Sequence, residues 1–375
     1  MGFADNYRGM SQNAPPKRSY TVREFRDADR DDYLELHSRV FEPDHGVAWF
    51  KWKYEENPYI DHVPIIVAEK DGELVGARSH FALDMSITDS RQLSLQPADT
   101  MVHPDHRRQG LFTQMTEAAI EKYSHGPPTF FFNFPNHRSG KGNLKLGWEL
   151  VNEHPTYYRI QRPLALGLQR LDVEDRVHLP FSNAIPEGYN RLSNARLEPD
   201  DGVTVSKYES IPSATLAALA NERSTDGICV FRDEQFYEWR FENPSWTYDT
   251  YLAERDGEAI AGVVVGTSVA SKQTVTKLVD IVPLPHKSPD EGLEALLARV
   301  LREYADSDVM VAPATLPASV ARKAGFLSDD RPPLSYVATQ TIHVVRSLTD
   351  SWSPEGVDIT DSRNWQLTFS AHDTS

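Results

Sequence analysis

A short segment rich in arginine and glycine joins an apolar stretch to a run with helical spacing. The apolar stretch ends at Val102, and the helical run covers residues 111–123. The segment itself ends in Arg107-Arg108-Gln109-Gly110-Leu111-Phe112. Exposed N–H groups at a helix start bind anions together with the helix dipole, and a glycine lets the backbone approach the bound group closely. The pattern predicts a phosphate site. The alternative is that the two arginines are only an exposed pair at a helix N-cap, with no ligand.

The apolar stretch before this segment contains a proline and an acid. Pro97 indicates an edge or a bulge, because proline cannot donate a backbone hydrogen bond to a sheet. Asp99 lies on the same strand face as Met101 and is the acid nearest to the segment. Its carboxylate is a candidate general base. The alternative, that Asp99 only orders the bulge, is equally compatible with the sequence.

Strands and helices alternate around these residues. Lys70-Asp71-Gly72-Glu73 is a hairpin signal between two apolar runs. The hydrophobic spacing predicts strands at 20–25, 63–69, 74–87, 129–134 and 157–162 and helices at 27–41 and 111–123. The last strand is expected to close this unit.

The second half of the chain repeats the first. Trp52-Lys53-Tyr54-Glu55-Glu56-Asn57-Pro58 returns as Trp239-Arg240-Phe241-Glu242-Asn243-Pro244, and Gly147-Trp148 returns as Gly325-Phe326. The order is conserved within the chain, which predicts two copies of one α/β unit. We expect a disordered leader at 1–17, the two units at 18–168 and 201–346, a connector at 169–200, and a tail at 347–375 with a terminal strand at 364–369.

The first unit resembles the GNAT (Gcn5-related N-acetyltransferase) superfamily. In that superfamily an Arg or Gln, two residues, a Gly, one residue, and a Gly or Ala join strand four to a helix and hold the pyrophosphate of acetyl-CoA. Arg107 and Gly110 match this pattern, whereas Phe112 stands where Gly or Ala is preferred. The resemblance implies two tandem GNAT-like acyl-CoA N-acyltransferase domains, each a mixed central sheet flanked by helices. In the second copy residues 279–290 contain no Arg-x-x-Gly, so we expect it to keep the fold without the cofactor site.

The resemblance also implies roles for single residues. The backbone of strand four would hold the acyl and pantetheine portions of acetyl-CoA, and an Asn near the end of strand five would approach the pantetheine arm. These positions correspond to Met101, Val102, His103, Asn133 and Asn136, in addition to Arg107, Arg108, Gln109, Gly110, Leu111 and Phe112 of the loop. Asn136 could equally be the N-cap of the next helix.

The general acid of the superfamily is typically a tyrosine early in the helix after strand five. No tyrosine lies between Tyr123 and Tyr157. Tyr157 and Tyr158 are therefore the candidate acids. A metal is not expected, because His103 and His106 lack an obvious third ligand.

Composition limits the partners. The chain has 55 acidic and 39 basic residues, a net charge of −16, which disfavours nucleic acid and anionic membranes. No apolar stretch approaches the roughly 20 residues of a membrane helix. The single Cys229 and the absence of a signal peptide predict a cytoplasmic protein. The acid-rich composition also favours a halophilic source.

These observations predict an N-acetyltransferase that moves an acetyl group from acetyl-CoA to a primary amine. The acceptor would be a small molecule, an amino sugar or a peptide. Two alternatives stay open. A non-catalytic protein that binds or senses acyl-CoA would explain Phe112 and the missing tyrosine. An aminoacyl transferase like the peptidoglycan-bridge enzymes would share the fold, although its tRNA donor fits poorly with the negative charge.

Overall fold

The computed structural model describes most of the 375 residues. The described ranges are 20–41, 45–88, 90–162, 196–197, 201–222, 227–270, 273–285, 291–336, 338 and 340–374. The expected leader, and the expected connector apart from residues 196–197, lie outside these ranges. Fifteen strands and eight helices lie within the described residues.

The strands are numbered in chain order. They are β1 (Thr21–Glu24), β2 (Ile65–Lys70), β3 (Glu73–Ile87), β4 (Ser90–Val102), β5 (Phe130–Asn133), β6 (Glu149–His154), β7 (Tyr157–Ile160), β8 (Val203–Tyr208), β9 (Ile228–Val230), β10 (Thr247–Arg255), β11 (Glu258–Ala270), β12 (Gln273–Val282), β13 (Val309–Ala312), β14 (Leu327–Ser328) and β15 (Thr341–Ser347).

The helices are α1 (Arg30–Val40), α2 (Val47–Phe50), α3 (Leu111–Ser124), α4 (His137–Lys145), α5 (Ser213–Asn221), α6 (Glu234–Arg240), α7 (Leu293–Glu303) and α8 (Ala318–Lys323). A π-helical turn, Lys51–Glu55, continues α2. Left-handed backbone at Asp71 and Gly72 makes the predicted hairpin turn between β2 and β3.

Two mixed sheets carry the fold. The first has the order β1-β2-β3-β4-β5-β15-β6, with β9 also paired to β3, and the second has the order β14-β7-β13-β12-β11-β10-β8. In each sheet one parallel pair, β4 with β5 or β12 with β13, interrupts the antiparallel pattern. Helices flank both sheets, so the predicted fold of two tandem α/β units is confirmed.

The two sheets exchange a strand. We expected β7 to close the first unit, but it lies in the second sheet between β13 and β14. In return β15 lies in the first sheet between β5 and β6. Side-chain alternation predicts that a strand forms and says nothing about its partners. Arg159 shows where β7 belongs, because its buried guanidinium donates to the carbonyl oxygen of Ala324 in the second unit.

The largest hydrophobic core lies between the two sheets and takes side chains from both units. Helices α1, α2, α5 and α6 contribute to it. At its centre the indole of Trp52 donates to the carbonyl oxygen of Trp239 over 2.9 Å, and the indole of Trp239 donates to that of Trp52 over 3.0 Å. This reciprocal pair joins the two copies of the repeated segment.

The tail also lies in this central layer, and the strand expected at 364–369 is wrong. The segment forms 3₁₀ turns at Ser362–Asn364 and Phe369–Ala371 and makes one isolated bridge, from Trp365 to Ile228. Side chains of the two units bind its backbone in place of a neighbouring strand. Gln96 donates to Ala371, and Arg240 donates to Ser370, each over 2.9 Å.

Smaller cores cover the outer faces. Helix α3 packs on the outer face of the first sheet, and α7 and α8 pack on that of the second. Helix α3 is thereby fixed directly after β4, which positions the arginine-glycine loop between them.

Candidate functional site

Strands β4 and β5 separate in the middle of the first sheet. They pair only at Ser94 with Phe130 and at Leu95 with Phe131. Pro97 lies two residues beyond Leu95 on β4, where it offers no N–H for further pairing. The remainder of β4 therefore borders a gap on its β5 side.

A bulge in β4 lies beside this gap. Asp99 and Thr100 together face the single residue Arg78 of β3, and Asp99 has a left-handed φ of 39°. The bulge agrees with the prediction from Pro97. It directs the side chain of Asp99 towards the central layer, where Lys53 and Tyr54 bind it.

The end of β4 exposes backbone groups to the gap. The N–H of His103 donates to the carbonyl oxygen of Val75 in β3 over 2.8 Å. Because backbone groups alternate between the two sides of a strand, those of Val102 point to the β5 side. Of the three backbone partners expected for acetyl-CoA, Val102 is the one that faces the gap. Its carbonyl oxygen already accepts a bond from the Nε of Arg107 at 3.2 Å.

The arginine-glycine loop begins after a 3₁₀ turn, Pro104–His106. Arg108 has a φ of 61°, and Gly110, the N-cap of α3, has a φ of 78°. A side chain at Gly110 would be strained at this φ. Arg107, Arg108 and Gln109 are exposed, and the first N–H groups of α3 have no partner within the helix. The loop thus presents two cations and a helix start to solvent.

The second unit has a related loop that the sequence comparison missed. Gly292 is the N-cap of α7, with a φ of 81°, as Gly110 is for α3. Both glycines precede a leucine, and this Gly-Leu pair is the signal that would have aligned them. Glu291 stands in the second unit where Gln109 stands in the first, and its carboxylate pairs with Arg255. The described part of this loop therefore carries an ion pair where the first unit has exposed arginines.

Asp99 belongs to a buried charged cluster. Its Oδ2 lies 2.7 Å from the Nζ of Lys53 and accepts a bond from the hydroxyl of Tyr54. The same Nζ lies 3.0 Å from the Oδ2 of Asp373 in the tail. Lys53 is 2 % exposed, whereas the side chains of Asp99 and Asp373 are 17 % and 15 % exposed. The two carboxylates are thus the accessible side of the cluster.

The cluster holds its charges in place. Burial by itself would raise the pKa of Asp99, but the Lys53 ammonium outweighs this effect, and the pKa lies below its ordinary value. Burial would likewise lower the pKa of Lys53, and the two carboxylates raise it instead. Burial and the negative charge of Asp99 raise the pKa of Tyr54. Asp99 is therefore ionised at neutral pH and is only a weak base.

Sequence reasoning missed Lys53, Tyr54 and Asp373. Lys53 and Tyr54 stand in the repeated segment, where they align with Arg240 and Phe241. Lys53 stands between two aromatic residues in the sequence. This was the available signal that the lysine is buried and needs a carboxylate partner. Asp373 gave no signal, because it is 320 residues from Lys53 in the chain.

The second unit has an acid at the position of Asp99. Asp280 follows the first residue of β12 that pairs with β13 by five positions, just as Asp99 follows Ser94 in β4. It binds Arg232 at 3.0 Å and the hydroxyl of Tyr237 at 2.8 Å. Asp280 is 1 % exposed. An acid held by a cation and a tyrosine is therefore common to both units, but only the first unit leaves it accessible.

The two tyrosines considered as acids lie in the second sheet. Tyr157 pairs with Ala312 and Ser328, and Tyr158 pairs with Val311 and Leu327. Burial raises the pKa of Tyr157, and the charged groups that act on it belong to residues 322–331 of the second unit. The strand exchange thus places both tyrosines in the sheet opposite β4.

The two asparagines after β5 make local contacts. The Oδ1 of Asn136 accepts the N–H of Ser139 at 3.0 Å, which is the geometry of an N-cap for α4. The Oδ1 of Asn133 accepts the N–H of Phe134 at 2.7 Å. The capping alternative therefore describes Asn136 in this structure.

Phe112 lies between α3 and α4. A Cβ atom on Gly142 of α4 would be 2.6 Å from the Cε1 of Phe112, so the ring rests directly on this glycine. The guanidinium carbon of Arg78 lies 4.9 Å from the centroid of this ring. Phe112 is partly exposed. It forms the outer edge of the contact between the two helices.

Two negative findings concern the described residues. No group of three or more His, Cys, Asp or Glu there is placed to hold a metal ion. None of the described helices is both long and apolar enough to cross a membrane.

The first unit has a bulged fourth strand, a parallel neighbour that separates from it and an arginine-glycine loop at a helix start, and this arrangement is a fold of the GNAT type. Residues 21–151 match the family model of the acetyltransferase (GNAT) domain. No curated protein matches the chain in sequence. The match to the GNAT domain therefore lies in the first unit, and the second unit repeats the sheet architecture of the first.

Solved structures agree with this fold. A GCN5-related N-acetyltransferase from Anabaena variabilis ATCC 29413 is 9% identical, with a TM-score of 0.59 over 92% of this chain and 81% of that chain. A tandem GNAT protein from the clavulanic acid biosynthesis pathway is 14% identical, with a TM-score of 0.51 over 89% of this chain and all of that one. Saccharomyces cerevisiae N-myristoyltransferase, solved with bound myristoyl-CoA, is 12% identical, with a TM-score of 0.56 over 93% and 86%. At these identities the likeness extends to the fold alone.

Proposed function

We propose that this protein is an N-acetyltransferase that transfers the acetyl group of acetyl-CoA to a primary amine. The observation that carries the proposal is the exposed arginine-glycine loop at the start of α3, which continues directly from the strand that borders the gap. The loop would hold the pyrophosphate. The backbone of Val102 would meet the pantetheine arm in the gap.

The reaction forms a C–N bond between the amine and the thioester carbonyl carbon and breaks the C–S bond. The amine must first lose the proton of its ammonium form, and the leaving thiolate gains one. Two carboxylates, Asp99 and Asp373, contact the ammonium of Lys53 and form the accessible side of the cluster. We propose that these carboxylates hold the ammonium of the acceptor and that Asp99 takes its proton.

The acceptor class follows only in outline from this site. A small molecule, an amino sugar or a peptide each offers a primary amine.

As part of the proposal we place the protein in a reducing, salt-rich cytoplasm, which the single buried Cys229 and the net charge of −16 support.

One observation favours a second candidate, a protein that binds acyl-CoA without catalysis. Phe112 rests on Gly142 and closes the contact between α3 and α4. The helix α4 also contains no tyrosine. Binding of acetyl-CoA without turnover over a panel of amines would support this candidate.

The test is calorimetric titration with acetyl-CoA. We expect one molecule per chain, and thermal stabilisation that grows with ligand concentration. The double substitution Arg107→Glu and Arg108→Glu should abolish binding, as should Gly110→Val, which is strained at a φ of 78°. The matched control, Arg302→Glu with Arg363→Glu, reverses two exposed charges outside the loop and should bind normally. A stoichiometry of two, or normal binding by the loop variants, would refute the assignment.

A further inference from the structure

Arg78 of β3 is a buried cation without a buried anion. Its side chain is 1 % exposed, and no carboxylate in the described part of the chain lies within ion-pair distance. Its terminal nitrogens bind only neutral oxygens, the Oγ1 of Thr100 at 3.0 Å and the Oδ1 of Asn143 at 3.2 Å. Arg232, which is also buried, has Asp280 at 3.0 Å. Desolvation lowers the pKa of Arg78 to about 9.

The surroundings of Arg78 have fewer acceptors than donors. Three buried nitrogens in this region have no hydrogen-bond partner: the Nε of Arg78, the Nδ2 of Asn143 and the Nε1 of Trp148. All three are donors. An unsatisfied buried donor costs about 1–3 kcal/mol, and more when it is charged. A group that brings several acceptor oxygens would remove these costs together.

Two residues that contact Arg78 are partly exposed. Arg78, Asn143 and Trp148 are buried, whereas Phe112 and Thr100 are partly exposed. The ring of Phe112 lies 4.9 Å from the guanidinium carbon of Arg78, and the hydroxyl of Thr100 binds Arg78 at 3.0 Å. A ligand would therefore reach Arg78 past these two side chains.

Arg78 lies on β3 opposite the bulge of β4, and this position determines which part of the ligand it would meet. Thr100, its partner, is on the bulge, and β4 runs two residues further to Val102 before the turn that leads to the loop. Pyrophosphate on the exposed loop would lie beyond that turn. The gap extends from the loop to the bulge. The acyl end of the donor would therefore lie beside Arg78.

We propose that Arg78 is the counterion of a carboxylate on the transferred acyl group, so that the preferred donor is a dicarboxylic acid joined to CoA through one carbonyl. This inference rests on the proposed transfer from an acyl-CoA to an amine, and it replaces the acetyl group by a dicarboxylic acyl group as the preferred one. A carboxylate accepts bonds only and matches the guanidinium fork. An acetyl group has no charge and would leave the buried cation uncompensated.

The test compares two donors of similar length in direct binding. Succinyl-CoA carries the carboxylate, and butyryl-CoA does not. The wild-type protein should bind succinyl-CoA at least about 30-fold more tightly, as expected for a buried charge pair. Arg78→Met should remove this preference and leave the affinity for butyryl-CoA and CoA unchanged. Thr100→Val, which removes a hydrogen bond and keeps the charge, is the control and should retain the preference.

Three results would overturn the inference. Equal affinity of the wild-type protein for the two esters would contradict it. A loss of CoA affinity in Arg78→Met equal to the loss for succinyl-CoA would assign Arg78 to the body of the cofactor. Binding of no CoA ester at all would reject the proposed function as well. If Arg78→Met does not fold, Arg78→Lys together with the wild-type comparison decides the question.

Discussion

Asp99 shows how the surroundings of one residue limit its chemistry. The Lys53 ammonium at 2.7 Å keeps its carboxylate ionised, so proton transfer to Asp99 is uphill at neutral pH. The negative charge itself is always available to a substrate ammonium. Proton transfer and binding of a substrate ammonium both require accessible carboxylate oxygens. Asp280, the counterpart of Asp99 in the second unit, is buried and does not offer them.

Substitution of Asp99 tests this role. Asp99→Asn should lower kcat/KM by about 10² or more at neutral pH, with acetyl-CoA affinity nearly unchanged. The loss should shrink at high pH, where the amine is already neutral. If the residue only orders the bulge, the variant would instead lose stability and cofactor affinity without rescue at high pH. Kinetics and calorimetry across pH distinguish these two patterns.

Lys53→Met gives the complementary prediction. In the wild-type protein the pKa of Asp99 is depressed, so the ionised form of Asp99 is lost only as pH falls below that depressed value. Without the ammonium, burial dominates and the pKa of Asp99 should rise. The acidic limb of the rate profile should therefore move to higher pH. An unchanged limb would show that Asp99 does not take the proton.

His80 gives a stability that depends on pH. Its Nδ1 lies 3.0 Å from the carbonyl oxygen of Pro64, and burial lowers its pKa to about 3. The unfolded imidazole titrates near 6.5, so the unfolded state binds the extra proton as pH falls from about 6.5 towards 3. Between pH 6.5 and pH 5 this group should lower the free energy of unfolding by up to about 2 kcal/mol.

Urea unfolding of His80→Gln checks this assignment. The free energy of unfolding of the variant should fall less steeply than that of the wild type between pH 7 and pH 5. Parallel curves would show that His80 remains accessible to protons in the folded protein.

At the scale of elements, the sequence predicts the turns, strands and helices whose signals lie within the element itself. The Asp71-Gly72 turn and the spacing of residues 111–123 predicted the β2-β3 hairpin and α3, because the signals lie within the elements themselves. The partners of β7 and the conformation of the tail depend on contacts more than 100 residues away, such as that of Arg240 with Ser370. No periodicity reports such contacts.

Docking of the tail depends on one glycine. A Cβ atom on Gly227 would lie 2.4 Å from the carbonyl oxygen of Asn364, which is backbone and cannot rotate away. Gly227→Ala should therefore cost about 1–3 kcal/mol of unfolding free energy. Gly46→Ala is the control, because its φ is −91° and nothing lies within 4 Å of the added atom. Chemical denaturation of both variants measures the difference, and equal stabilities would contradict the close contact.

At the scale of the whole molecule, the exchanged strands make each sheet depend on the other unit. Without β15 the first sheet would have two open edges, at β5 and β6, and open edges promote aggregation. Residues 1–162 and 196–375 expressed as separate chains should each be insoluble and should form a soluble complex when coexpressed. Co-purification checks this. A first fragment that is monomeric, folded and able to bind acetyl-CoA alone would contradict it.

The exchange also sets an order of events on the ribosome. Domains generally fold in turn as the chain emerges, the N-terminal one first. Here the strand that lies between β5 and β6 ends at Ser347 of 375 residues. The unit with the arginine-glycine loop can complete its sheet only after the second unit has been synthesised. A nascent chain stalled before β15 should therefore present that unfinished edge to chaperones, and the loop should gain its ligand only after β15 has emerged.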